Sequence, residues 1–284
     1  METRIAFVGS GVMAEVMIRG LLTHELASPG RVWAAGPRPE RAEQLSREHG
    51  IHGTTDTLQA ISEADLIVLS IKPGTLGKVL RQVRGTVRPE QVVMSIVAGA
   101  RMAAIGKALG RPAVVRCVPN LPCRVGKGLT VWTATPEVPE EAREAVRGLL
   151  GTMGREVYLA DEAQVDRATA AYGTVPALLA QLVKALEDTA VYVGEPRGLA
   201  REMILEAILG TAGMMLDAGL SPTELTDQIT SPGGITSRAL HALNQGRFSA
   251  VLNEAVRAAY ARTVEIGDQL NGELRGTSSP TSDG

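Results

Sequence analysis

A chain of 284 residues exceeds the commonest single-domain size, and its length points to two domains of roughly 100 to 200 residues each. Its 29 basic residues against 31 acidic ones leave a formal charge of -2, which argues against nucleic acid or an anionic membrane as partner and leaves a small, soluble molecule. With no secretory leader, the two cysteines, Cys117 and Cys123, are expected to be reduced thiols of a cytoplasmic protein.

The chain starts with a strand-like run, Ile5-Ala6-Phe7-Val8, too poor in apolar residues for a signal peptide. Val32 to Ala35, Leu66 to Ile71, Val92 to Val97 and Ala113 to Val118 are further strand-like runs, separated by amphipathic helical patterns. Near-continuous apolar strands alternating with helices imply a parallel, doubly wound α/β sheet, so residues 1–160 are expected to form a Rossmann-like domain. After Tyr158-Leu159-Ala160-Asp161 the strand signals end. Helices are expected from Glu162 to about Val193, Arg197 to Ala218, Thr223 to Gln228, Gly233 to Asn244 and Phe248 to about Asn271, an all-helical domain over 161–272. Apolar residues cover more than one face between Met203 and Leu216, which predicts a homodimer built on these helices. The Ser-, Thr-, Gly- and Pro-rich stretch 273–284 is expected to be a disordered tail. No apolar run approaches the roughly 18 residues of a membrane span.

Directly after the first strand stands Gly9-Ser10-Gly11-Val12-Met13-Ala14, a G-x-G-x-x-A run opening a helix. Gly9 permits a tight turn, Gly11 lets a pyrophosphate approach the backbone, and Ala14 lets helix and strand pack closely over the unpaired amides of the helix start. An ordinary glycine-bearing turn is the plainer alternative, and the strand, helix and spacing together weigh against it. The second strand ends without the acidic residue that would bind a ribose 2′-hydroxyl; Arg38 and Arg41 stand there instead, beside Glu40. Two arginines suit a 2′-phosphate, so NADPH is the expected cofactor, with NADH as the alternative donor. The strand-end loops containing Lys72, Pro73 and Ala98 are expected to border the nicotinamide half.

Between two predicted helices lies Thr230-Ser231-Pro232-Gly233-Gly234-Ile235-Thr236-Ser237. Its grammar is that of a helix start: Ser231 suits the N-cap, Pro232 the first helical position, and Gly233 with Gly234 expose amides to an anion such as a carboxylate. Thr236 offers a hydroxyl one turn further in. Capping with no ligand is the simpler alternative. His24, His49, His52 and His241 are scattered without metal-ligand spacing and read as surface residues, so no metal site is expected.

The glycine run, Ile71-Lys72-Pro73, Arg116-Cys117-Val118-Pro119-Asn120-Leu121-Pro122, Gly173-Thr174-Val175-Pro176-Ala177 and Thr230-Ser231-Pro232-Gly233-Gly234 occur in an order that resembles the pyrroline-5-carboxylate reductase family, over about residues 3 to 270. The resemblance implies NADPH-dependent reduction of the cyclic imine 1-pyrroline-5-carboxylate to L-proline, the last step of proline biosynthesis. It implies that Ser231, Gly233, Gly234 and Ile235 hold the imine carboxylate, that Thr236 hydrogen-bonds the ring nitrogen, and that Asn120 lies with the cofactor. It also implies a homodimer or a ring of dimers. Three positions depart from the family pattern: Tyr172 replaces a serine, Val175 a glycine and Leu121 a threonine. A different cyclic imine, or a non-catalytic NADP-binding regulatory paralogue, therefore stays open beside the proline-forming reaction. A β-hydroxyacid dehydrogenase is disfavoured, because that family's helix motif would require a lysine where Ala180 stands, and Lys184 comes one turn late.

Overall fold

Eight short strands, most of them buried on both faces, carry the first part of the computed structural model, which describes residues 3–111 and 113–276. They are β1 (Ile5–Val8), β2 (Val32–Ala35), β3 (His52–Thr54), β4 (Leu66–Leu69), β5 (Val92–Ser95), β6 (Val114–Pro119), β7 (Gly128–Ala134) and β8 (Gly154–Tyr158). The sheet order is β3-β2-β1-β4-β5-β6-β7-β8. β1 to β6 run parallel, with Ile5 opposite both Val32 and Leu66; β7 is antiparallel to β6, and β8 is parallel to β7.

Successive side chains of a strand point to opposite faces, and here both faces are apolar. Ile5 and Phe7 join Val32, Leu66 and Met94 beneath the helices α1 (Val12–Thr23) and α6 (Glu140–Gly151), which contribute Met17, Leu21, Val146 and Leu149. Ala6 and Val8 join Ile67, Leu69 and Val93 on the other face, covered by Ile61 of α3 (Thr57–Ser62), Leu80 of α4 (Leu76–Val83) and Ile105 of α5 (Met102–Leu109). Between β2 and β3 runs α2 (Pro39–His49). The expected Rossmann-like sheet is present, with three strands that the reading of the sequence did not identify: β3, β7 and β8.

The helix expected from Glu162 to Val193 is two helices, α7 (Glu162–Tyr172) and α8 (Val175–Tyr192). Pro176 explains the break, since it has no amide proton and its ring clashes with a carbonyl one turn back, so it belongs in the first turn of a new helix. The remaining helices are α9 (Arg197–Asp217), α10 (Pro222–Ile229), α11 (Ile235–Gln245) and α12 (Phe248–Gly276). α12 outruns the expected end near Asn271, so residues 273–276 of the expected tail are helical, and 277–284 lie outside the described residues.

Two compact units result: the chain up to Gly173 together with the chain from Ala259 onward, and Thr174–Ala258 between them. In this division α7 goes with the sheet, to which it is bound. Arg116 of β6, almost wholly buried, pairs with Glu162 at 3.3 Å and with Asp166. The end of α12 belongs to the sheet unit as well: Leu270 and Leu274 enter its core, and Gly267 approaches Gly99 so closely that a Cβ on Gly99 would lie 3.0 Å from the Gly267 nitrogen. Within the second unit, the buried carboxylate of Glu187 on α8 accepts from Arg201 of α9 at 2.7 and 3.1 Å. Otherwise this unit leaves large apolar side chains uncovered, among them Leu182, Leu186, Leu205, Leu209 and Leu216.

Candidate active site

The turn from β1 into α1 is shaped by two glycines with different jobs. Gly9 has φ +107°, and a Cβ there would sit 2.5 Å from the Ser70 carbonyl oxygen, so the residue must be glycine for the chain to turn against β4. Ser70 fastens the turn, its hydroxyl donating to the Gly9 carbonyl at 2.7 Å, and Gly9 itself donates its amide to Ala35 at 2.8 Å. Gly11, the N-cap of α1, has ordinary backbone angles and open space where a side chain would stand. No side chain caps the helix, Val12 is half exposed, Met13 is partly buried and Ala14 is fully buried against the sheet. Free amides, open space and a positive helix end at the carboxyl side of β1, where the strand order reverses toward β4, suit a pyrophosphate. Ser10 is nearly buried, and its side chain fills the place a Cβ on Gly36 would need.

Beyond β2 the two arginines of the sequence reading separate. Arg38, the N-cap of α2, is exposed, with no partner among the described residues. Arg41 is mostly buried: its Nε donates to the Ser10 carbonyl at 3.0 Å, one terminal nitrogen to Gln44 at 2.9 Å, and the other to Glu15 of α1 at 2.5 Å. This hydrogen bond holds the Glu15 carboxyl below the usual carboxylate range. His49 also faces Glu15, at 3.6 Å, and its ring is largely buried rather than on the surface as expected. Glu15, Glu48 and His49 have ligand atoms within 4.8 Å of one another, but the Arg41 guanidinium already holds the Glu15 carboxylate.

Three further loops leave the sheet on the same side. Lys72 and Pro73 are exposed, and Pro73 opens a short 3-10 turn, Pro73–Thr75. Ala98 is exposed after β5, and the smallness of the next residue, Gly99, serves the close approach of Gly267. Asn120 follows β6 and uses its side-chain oxygen internally, accepting from the Leu129 amide at 2.9 Å. Tyr172 closes this side: its phenol, at the end of α7, donates to the Val118 carbonyl next to Pro119 and Asn120. Glu15, Ser70 and Tyr172 were not singled out as contacts from the sequence. Only the tertiary fold brings them to their partners, 26, 61 and 54 residues away.

In the second unit the loop between α10 and α11 differs from the expected helix start. Gly234, not Ser231, is the N-cap of α11; Ser231, Pro232 and Gly233 form a turn closed by the Gly234 amide donating to the Ser231 carbonyl at 3.0 Å. Gly233 has φ +73°, a left-handed conformation that ends any helix begun at Pro232. The first amides of α11, those of Ile235, Thr236 and Ser237, precede the first intrahelical donor, Arg238, which bonds Gly234 at 3.2 Å. Ile235 is almost fully exposed, and Thr236 stands at the second helical position, partly buried, with no hydrogen-bond partner for its hydroxyl among the described residues.

Comparison with known proteins agrees with both halves of this arrangement. The family described as "Pyrroline-5-carboxylate reductase dimerisation" matches residues 162–266, and "NADP oxidoreductase coenzyme F420-dependent" matches residues 4–99. Pyrroline-5-carboxylate reductase of Pseudomonas aeruginosa is 34% identical over 268 residues, covering 94% of this chain and 98% of that protein. A solved structure of a pyrroline-5-carboxylate reductase from Coxiella burnetii, 27% identical, covers 93% of this chain and 98% of its own with a TM-score of 0.85. The Plasmodium falciparum pyrroline carboxylate reductase, solved with NADP bound, shares the fold at 24% identity and a TM-score of 0.84, covering 94% of this chain and 98% of its own. Identity of this order along nearly the whole length means that the chain belongs to the pyrroline-5-carboxylate reductase family.

Proposed function

We propose that the protein reduces 1-pyrroline-5-carboxylate to L-proline with NADPH, the last step of proline biosynthesis, in the cytoplasm. The observation that carries this reading is the family membership over both units, at 34% identity to an enzyme of that name. The glycine turn supports it independently: Gly9, Ser10, Gly11, Val12, Met13 and Ala14 offer a glycine-lined approach with open space at Gly11, which fits a dinucleotide pyrophosphate. Lys72, Pro73, Ala98 and Asn120 are assigned to the nicotinamide half, and exposed Arg38 to a 2′-phosphate, which favours NADPH.

Reduced nicotinamide, when bound, supplies a hydride. What remains for the chain is to hold a protonated imine in position, since its carbon is already electrophilic and needs no strong acid. The amides of the Gly233–Gly234–Ile235 loop, beside Ser231, are assigned to the substrate carboxylate, a role that suits the free donors of a helix start. Thr236 is assigned to the ring nitrogen: its hydroxyl can accept a hydrogen bond from the iminium N–H, which stays on the nitrogen as it becomes an amine, and so keep the ring oriented.

The uncovered leucines of α8 and α9 support a homodimer formed through the second unit, and sedimentation showing only monomer at micromolar concentration would exclude it. The test of function is oxidation of NADPH by the purified protein with pyrroline-5-carboxylate, run beside the six-membered piperideine carboxylate. Preference for the five-membered ring is expected. Turnover of only the larger ring redirects the assignment to another imine, and NADPH binding without any turnover leaves a regulatory paralogue. Thr236→Ala is expected to lower kcat by on the order of a hundredfold, as for a group that positions the reacting atom, while the dissociation constant for NADPH stays within twofold. Unchanged kcat removes Thr236 from the mechanism.

A further inference from the structure

The end of β2 carries two arginines, and the fold leaves only one of them uncompensated. Arg38 is exposed and free of partners among the described residues. All three nitrogens of the Arg41 guanidinium are engaged, by the Ser10 carbonyl, the Gln44 amide oxygen and the Glu15 carboxylate. The Gln44 amide is itself oriented, its nitrogen donating to Glu48 at 3.0 Å, so its oxygen is turned toward Arg41. Glu15 stands in the first turn of α1, where a negative charge is favoured by the helix end, and its other oxygen faces His49. Arg41 is thus clamped to the glycine turn through Ser10, and its charge is already balanced.

We propose that Glu15 is a specificity-determining residue: by pairing with Arg41 it reduces the positive charge offered to a 2′-phosphate, and so limits how strongly the protein prefers NADPH over NADH. This rests on the reading above that the glycine turn and Arg38 bind the dinucleotide. Of the five guanidinium N–H groups of Arg41, three are used, so two remain to donate to a phosphate oxygen. Hydrogen bonding to the phosphate is thereby retained while most of the electrostatic gain is cancelled. NADH carries no charge at that position, so Glu15 has little bearing on its affinity. An unpaired Arg41 would act on one dinucleotide and not on the other.

Direct binding decides the matter, followed by the fluorescence of NADPH and NADH with the full-length protein and no substrate. Glu15→Gln keeps an oxygen for Arg41 and removes the charge. It is expected to tighten NADPH about fivefold at low salt, with a smaller gain at high salt, and to change NADH less than about twofold. The gain should vanish in the double variant Glu15→Gln/Arg41→Gln. Glu15→Ser is the second variant, with the same expectation should the glutamine variant not fold. Equal changes for both dinucleotides would mean that Glu15 only shapes the glycine turn, and would overturn the proposal. So would no change, weaker NADPH binding, or a gain that persists without Arg41. A wild-type protein that binds neither dinucleotide overturns the cofactor reading itself, a result distinct from binding that Glu15 does not modulate.

Discussion

The phenol of Tyr172 stands between two register partners of the sheet, donating to the Val118 carbonyl of β6 and accepting from the Val131 amide of β7 at 3.4 Å. One hydroxyl therefore fixes the end of α7 to both strands just before Pro119 and Asn120. Tyr172→Phe keeps the ring and leaves the Val118 carbonyl without this donor, a loss of about 1–2 kcal/mol in urea unfolding. Tyr172→Ser, the residue usual in the family, leaves a cavity as well and is expected to cost about 3 kcal/mol. Burial raises the phenol's pKa, so its stabilising share is complete below the unfolded value of about 10 and is lost as pH rises through the higher folded value. Ultraviolet titration should show one of the four tyrosines ionising only as the protein unfolds.

Gly9 and Gly11 should fail differently. Gly9→Ala meets both a positive φ and the Ser70 carbonyl, and is expected to destabilise the protein by about 3 kcal/mol or more. A Cβ on Gly11 meets open space, so Gly11→Ala should cost no more than about 1 kcal/mol, the loss of a favourable N-cap residue, while NADPH binding weakens by on the order of tenfold or more. Equal melting temperatures for the two variants would contradict this division of labour.

Arg116 is buried with two carboxylates for company, Glu162 and Asp166. Arg116→Met removes the cation and leaves two partly buried acids facing apolar surroundings, at an expected cost of about 3–5 kcal/mol. Adding Glu162→Gln and Asp166→Asn to that variant should recover part of the loss. No recovery would show that the arginine contributes by packing alone.

Neither cysteine is poised to react. Cys117 is fully buried and Cys123 nearly so, and burial pushes both thiols above their ordinary range. An aromatic disulfide reagent should label neither thiol of the native protein at mildly alkaline pH, and two per chain in denaturant. Rapid labelling of the folded protein would mean that the region around β6 opens readily.

Much of the first unit was legible because buried parallel strands are written as apolar runs, and β1, β2, β4, β5 and β6 were read that way. β3 escaped because it is a three-residue edge strand, His-Gly-Thr, with no apolar run at all. In β7, Thr130 and Thr133 interrupt the apolar pattern, and β8 begins with Gly154-Arg155-Glu156, so neither has the continuous signature of the central strands. The break at Gly173 was signalled by Pro176, and the long apolar periodicity outweighed it. In the loop between α10 and α11, capping depends on backbone angles that composition does not specify, and Gly233 takes the left-handed conformation that moves the cap to Gly234. The engagement of Arg41 was invisible, since nothing in a linear reading pairs it with a glutamate on another helix.

The sheet unit is completed by residues from both ends of the chain, because Leu270, Asn271 and Leu274 of α12 meet the region of Gly99 and Arg101. On the ribosome, its eight strands emerge long before the last helix that covers part of one face. A fragment ending at Gly173 would expose that face, so truncation there is expected to yield an aggregation-prone product rather than an isolated nucleotide-binding domain. The second unit is thus an insertion within the first, and a faithful minimal dinucleotide-binding protein would have to splice residue 173 to residue 259.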